Sequence, residues 1–170
     1  MNIYIVGIDH EIQLRDGWSV NSHAEFEKLL REIIREHDIT FIGDETFAQK
    51  NAIAKEVAKS LDILWEPIEM PVAMRAERGI AKEQKNRPFE TVVSDEGVLT
   101  RRYKRVPSDS IREDYMVERA IAKAGAAMSI LILCGFNHAP DLHTRFAKLG
   151  HRVTLDSLCK RSWYKHPDCD

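Results

Sequence analysis

The run Ser129-Ile130-Leu131-Ile132-Leu133-Cys134 contains no charged side chain and is stopped by Gly135. It is too short for a buried helix and rich in branched apolar residues, so it reads as a strand covered on both faces. Ile3 to Val6 is a second run of this kind, stopped by Gly7. It lies almost at the start of the chain, so the first strand is expected inside the sheet rather than at its edge. Strands buried on both sides require helices above and below them.

The intervening sequence supplies those helices. Ser22 and Glu25 have capping-box spacing, and Phe26, Leu29, Leu30, Ile33 and Ile34 then form one apolar stripe. Ile39 to Gly43 reads as a second strand, Phe47 to Leu61 as a helix, Ile63 to Ile68 as a third strand, and 72–86 as a helix weakened by Gly79. Ser110 and Glu113 are read as a second capping box, opening a helix to about Ala124. Pro140 suits the first turn of a helix carrying Leu142, Phe146 and Leu149 inward and ending at Gly150; Arg152 to Leu155 is the last strand. Residues 87–108 are irregular, with a hairpin around Asp95-Glu96-Gly97 or a long functional loop as alternatives. The alternation predicts an α/β protein: one domain over 1–160, a mostly parallel sheet of about five strands with helices on both faces, and a polar tail over 161–170 docked through Trp163 and Tyr164.

Composition narrows the function. The 170 residues suit a single domain, since most hold roughly 100–200. A net charge of −2 does not suggest a nucleic-acid binder. Cys134, Cys159 and Cys169 show no metal-binding spacing and are expected to form no disulfide scaffold. Cys134, ending an apolar run, is expected to be a buried small residue. The N-terminal residues do not resemble a signal peptide, and no stretch approaches the roughly 20 apolar residues that cross a bilayer, so a cytoplasmic location away from membranes is expected. P-loop, dinucleotide, serine-esterase and zincin motifs are missing.

Three strand ends carry polar groups. They are Gly7-Ile8-Asp9-His10, Gly43-Asp44-Glu45 and Gly135-Phe136-Asn137-His138. Ligands of open parallel sheets bind beyond the carboxyl ends of the strands, so two imidazoles and several carboxylates are expected to converge there. Each glycine is expected to let the chain turn sharply and aim the following His over the sheet edge. Imidazole is the commonest metal ligand and a carboxylate completes a mixed set for Zn, Mn, Fe or Co. The plainer reading is that each His is a loop residue bonded to a carbonyl and that Asp44-Glu45 serves a helix dipole; the matched pair of turns favours a site. His23, His37 and His151 are expected in solvent. Arg112, Met116 and Arg119 share a helix face, which would direct Arg112 or Glu113 toward the same edge or form a salt-bridged surface. The stretch Met70–Ile80, with Arg75, is either site-lining or a packed amphipathic turn.

These residues, in this order, resemble the TraB/Tiki, ChaN and erythromycin-esterase-like superfamily, which has an early Gly-x-x-His motif, a glutamate after a following strand, an arginine region and a late Gly-x-x-His turn. Its members include membrane-tethered metalloproteases, haem- or iron-linked proteins and macrolide-lactone hydrolases. The chain is shorter than typical members. The resemblance implies metal or general-base roles for His10, Glu45 and His138, and a supporting role for Arg112.

The expectation is a metal-dependent hydrolase of a small-molecule or peptide substrate. His10, Glu45 and His138 would hold the ion, Asp9 or Glu113 would orient its water or act as base, and Arg112 would stabilise an oxyanion. The alternatives are a non-catalytic small-anion or metal-binding module and an oligomeric interaction protein; a homo-oligomer is left open.

Overall fold

The computed structural model describes residues 1–10, 12–13, 20–46, 52–80, 83, 88–93 and 99–164, with backbone alone for 20–21, 89–93 and 99–103. The elements run β1 (Asn2–Ile8), α1 (Val20–Glu36), β2 (Phe41–Asp44), α2 (Ile53–Ser60), β3 (Leu64–Pro67), α3 (Val72–Glu77), β4 (Phe89–Val93), β5 (Leu99–Tyr103), α4 (Pro107–Ala124), β6 (Ser129–Gly135), α5 (Ala139–Lys148), β7 (Arg152–Ser157) and a 3-10 turn (Leu158–Lys160). β3, β2, β6, β1 and β7 form one parallel sheet in that spatial order, and β4 pairs with β5 antiparallel.

The central strand shows why this is a three-layer protein. Every residue of β6 is buried. Leu131 and Leu133, with Val6 and Ile8 of β1, meet Phe26, Leu30, Ile33, Ile53 and Val57 of α1 and α2. Ile130, Ile132 and Cys134, with Ile3 and Ile5, meet Met116, Val117 and Ala120 of α4 and Leu142 and Phe146 of α5 on the other face. The edge strands β3 and β7 are less buried. β1 lies inside the sheet, as its uninterrupted apolar run requires.

Chain connectivity positions the site. From β1 the chain passes through α1 to β2, on one side of β1; from β6 it passes through α5 to β7, on the other. Because β1 and β6 are parallel neighbours, the turns that follow them lie side by side at the carboxyl ends of the sheet.

Several local expectations are corrected. Gly7 does not stop its strand but lies within it, whereas β6 does end at Gly135, and neither glycine has a positive φ. They are small because of what approaches them: a Cβ on Gly7 would lie 3.2 Å from Phe136 Cδ1 and 3.3 Å from Ala139 Cβ. Helix α1 begins at Val20, so Ser22 is inside it rather than capping it. α4 begins at Pro107, not Ser110; Asp109 accepts from the Val106 N–H at 2.9 Å. His23 is buried rather than solvated. Cys159 is disulfide-bonded, a bond not foreseen where no disulfide scaffold was expected, and Cys134 is free and buried as expected. The hairpin reading of 87–108 is the one realised, with the turn around Asp95-Gly97 outside the described residues. Over 72–86 helix α3 ends at Glu77, Gly79 takes a positive φ, and Ile80 and Glu83 are again helical, with 81–82 and 84–86, like the start of the helix expected from Phe47, outside the described residues. Tyr164 is buried in the α1-side core with Trp163 packed against it, as expected, and 165–170 lie outside the described residues. No helix among the described residues is long and apolar enough to cross a membrane.

Phe146 is fully buried between the sheet and α5, whereas Leu64 on edge strand β3 is half exposed. In denaturant unfolding, Phe146→Ala is expected to cost about 3–5 kcal/mol and Leu64→Ala less than about 1 kcal/mol.

Candidate functional site

The carboxyl ends of β1, β2 and β6 bring His10, Glu45 and His138 together. The Glu45 carboxylate is fully buried, and its Oε2 accepts the Gly135 N–H at 2.8 Å. Its Oε1 lies 2.8 Å from Arg112 Nη2, 3.5 Å from His138 Nε2 and 3.7 Å from His10 Nε2. Both Gly-x-x-His turns therefore aim an imidazole at one carboxylate oxygen, as the strand-end pattern implied.

Both rings are oriented from behind. The Gln13 amide donates to Asp44 Oδ1 at 2.8 Å, which leaves its Oε1 to accept from His10 Nδ1 at 2.9 Å. His138 Nδ1 lies 2.8 Å from Glu113 Oε1. A ring that donates through Nδ1 keeps its lone pair on Nε2. Arg112 can only donate, and its Nη1 stands 3.2 Å from His138 Nε2, which fixes that tautomer. His10 differs in being open: 54% of its side chain is accessible, while His138 is buried.

Arg112 is the hub. It grips Glu69 with both Nε and Nη2, the latter in a short contact, and reaches Glu45 and His138 as well. Glu69 also accepts the Met70 N–H at 2.6 Å. Glu113 carries a second layer: Arg105 binds both of its oxygens at 2.8 and 2.9 Å, and Arg145 approaches at 3.4 Å. Asp9 lies in the His10 turn, where its carbonyl accepts the Ile12 N–H.

The burial of charge shapes the acidities. Burial raises the Glu45 pKa, but His138, His10, Arg112 and the Gly135 N–H outweigh it and hold the carboxyl at about 2. Burial raises Glu113 too, and its bonds from His138 and Arg105 outweigh that, leaving it lowered. Burial lowers His138, but Glu45 and Glu113 prevail and raise it. Asp44 is pushed up to about 7 by burial, against the Trp65 and Gln13 hydrogen bonds. Burial raises the Cys134 thiol well above its ordinary value, which removes it as a nucleophile.

Chemically, the arrangement is an ionised carboxylate beneath one open imidazole and one closed one. A divalent ion between His10, Glu45 and His138 would need lone pairs that Arg112 already occupies on two of the three. Among the described residues no group of three or more His, Cys, Asp or Glu side chains is arranged to hold an ion. Arg112 is likewise committed to carboxylates, so the geometry gives it a positioning role. Gln13, Asp44 as a relay, Glu69 and Arg105 were not singled out as site residues from sequence. Glu69, two residues beyond β3, fits the same strand-end rule as Glu45; nothing local marks Gln13 or Arg105.

Comparison with family models, with curated proteins and with solved structures finds no match to this chain.

A Cβ on Gly135 would lie 2.9 Å from His10 Nε2, and that open ring can swing away. Gly135→Ala is therefore expected to displace His10 from Glu45 while changing stability by less than about 1 kcal/mol; the His10 ring resonances in an NMR titration read the first effect and denaturant unfolding the second. A separate expectation follows from Asp44. Its folded pKa is about 7 against an ordinary value of 3.8, so the folded state holds the extra proton between them and stability falls as pH rises through that window. Asp44→Asn is expected to flatten this descent in unfolding free energies measured from pH 4 to 7.5.

Proposed function

We propose that this chain is a hydrolase whose active site lies at the carboxyl ends of β1, β2 and β6, with His10 as the general base. The observation that carries the reading is the state of His10. Its Nδ1 is held by Gln13, its Nε2 carries the lone pair, and it is the open ring facing a buried carboxylate.

The steps follow from these residues. A water at these strand ends gives its proton to His10 Nε2 as it attacks an electrophilic carbon or phosphorus. Glu45, ionised down to about pH 2, stabilises the imidazolium across 3.7 Å, and Gln13 keeps the ring from turning. The ring then returns the proton to the leaving group. Glu113 and His138 act one layer deeper: they hold Arg112, which holds Glu45.

A metal-dependent form is the second reading, favoured by the convergence of both Nε2 atoms on Glu45 Oε1 at 3.7 and 3.5 Å. His10, Glu45 and His138 would be the ligands, and the ion would supply a more acidic water. It requires the Arg112 guanidinium to leave Glu45 and His138.

The test is turnover on a panel of esters, lactones, phosphoesters and peptides. Once a substrate is found, His10→Ala is expected to lower kcat by about 10²–10⁴, the usual contribution of a general base. Turnover by His10→Ala equal to that of the parent chain would refute the assignment. Elemental analysis of untagged protein separates the two forms. Negligible metal in the parent chain, His10→Ala and His138→Ala supports the Arg112-closed site, whereas stoichiometric metal lost in both variants supports the ion.

A further inference from the structure

The two edges of the parallel sheet are finished differently. β3 has four residues and ends at Pro67, which has no N–H to offer and whose carbonyl accepts Arg119 Nε at 3.1 Å. β7 has six residues, with no proline and no lysine to blunt it. It is the outermost strand on its side and pairs with β1 alone.

The backbone groups along this edge can be followed one by one. The Arg152 N–H donates to the Met1 carbonyl at 3.2 Å. A parallel ladder alternates, so Thr154 and Asp156 turn to β1 as well, and Val153, Leu155 and Ser157 turn away. The outward donors at the two ends are already used. The His151 N–H donates to the Phe146 carbonyl at 3.2 Å, and the Ser157 N–H to Asp156 Oδ1 at 2.8 Å. Between them, Val153 and Leu155 each present an N–H and a carbonyl that meet no partner among the described residues. Their side chains share the α5 face, where Val153 is partly buried and Leu155 is 38% exposed. Thr154 is exposed on the other face.

We propose that β7 pairs antiparallel with β7 of a second copy of this chain, about a twofold axis through Thr154. In that register Val153 faces the partner copy's Leu155, and each outward N–H meets an outward carbonyl. The side chains agree. Val153 and Leu155 form apolar cross-strand pairs, and Thr154 meets its own symmetry mate. Arg152 comes opposite Asp156, which Tyr4 and Arg161 hold in place, so opposite charges face each other. The neighbouring registers fit less well. An axis through Val153 would call on the His151 N–H and set Leu155 against His151. An axis through Leu155 would call on the Ser157 N–H and set Val153 against Ser157. A patch that is its own complement is what a twofold interface requires. Antiparallel pairing also points the carboxyl ends of the two sheets in opposite directions, so each copy keeps its own site.

Sedimentation equilibrium over a dilution series tests the proposal. The parent chain is expected to associate reversibly, from the monomer mass to twice that mass. Thr154→Lys sets two ammonium groups against each other at the axis and is expected to weaken association by about tenfold or more. Its denaturant unfolding at low concentration is expected to match the parent, because Thr154 is exposed. Thr154→Cys is expected to give a covalent dimer on mild oxidation much faster than Arg152→Cys, whose thiols do not face each other in this register. A parent chain that stays at the monomer mass throughout overturns the proposal and leaves the edge to a strand of another polypeptide. So does a dimer that Thr154→Lys leaves unweakened, or equal cross-linking by the two cysteine variants.

Discussion

One guanidinium holds the working end of this molecule together. Arg112 rises from the start of α4 and meets Glu69 beyond β3, Glu45 beyond β2 and His138 beyond β6. Three separate loops thus close on a single buried cation. Such a group is secure only while its partners remain, because removing one leaves the others charged and out of water. The floor of the site is thus buried and fully charged, and His10 is its accessible member.

The same cation sets the order of the surrounding chemistry. With His138, His10 and the Gly135 N–H it keeps Glu45 ionised, and Glu45 in turn faces the open His10 ring. It also closes the lone pair of His138, so two imidazoles that are alike in sequence context become unlike in role. The difference arises behind the rings: a neutral amide, Gln13, stands behind His10, and a carboxylate, Glu113, stands behind His138.

Much of the architecture was legible in residue order. The apolar runs at Ile3–Val6 and Ser129–Cys134 are buried on both faces, and the Phe26–Ile34 stripe lies against them, because hydrophobic period and burial are local properties of the chain. His10, Glu45 and His138 were expected in one place from the rule that parallel strands present their carboxyl ends together, and Arg112 or Glu113 was directed toward the same edge by its helix face. Where the reading failed, the reason is tertiary. The glycines of the two turns were assigned to sharp bends, whereas they admit Phe136 and the His10 ring, contacts that no local pattern reports. The helix starts were misplaced because Ser22 and Ser110 have cap-like spacing inside helices that begin earlier, at Val20 and Pro107. Glu69 gains its role from Arg112 of α4, far away in sequence, and Arg105 ties α4 to the Asn137 carbonyl and Asp141 beyond β6.

The strand order carries a consequence for the birth of the molecule. β1 has β6 on one side and β7 on the other, so the Asn2 N–H waits for the Met128 carbonyl and the register then runs from Ser129 onward. Both neighbours are made last. At roughly 5–20 residues per second of synthesis, an early strand of nearly unbroken apolar residues stays unpaired for on the order of ten seconds. Pairing then depends on closing a loop that spans most of the chain, the kind of contact that slows folding. The place reserved for β1 at the middle of the sheet is thus also the point at which a growing chain is most exposed to the wrong partner.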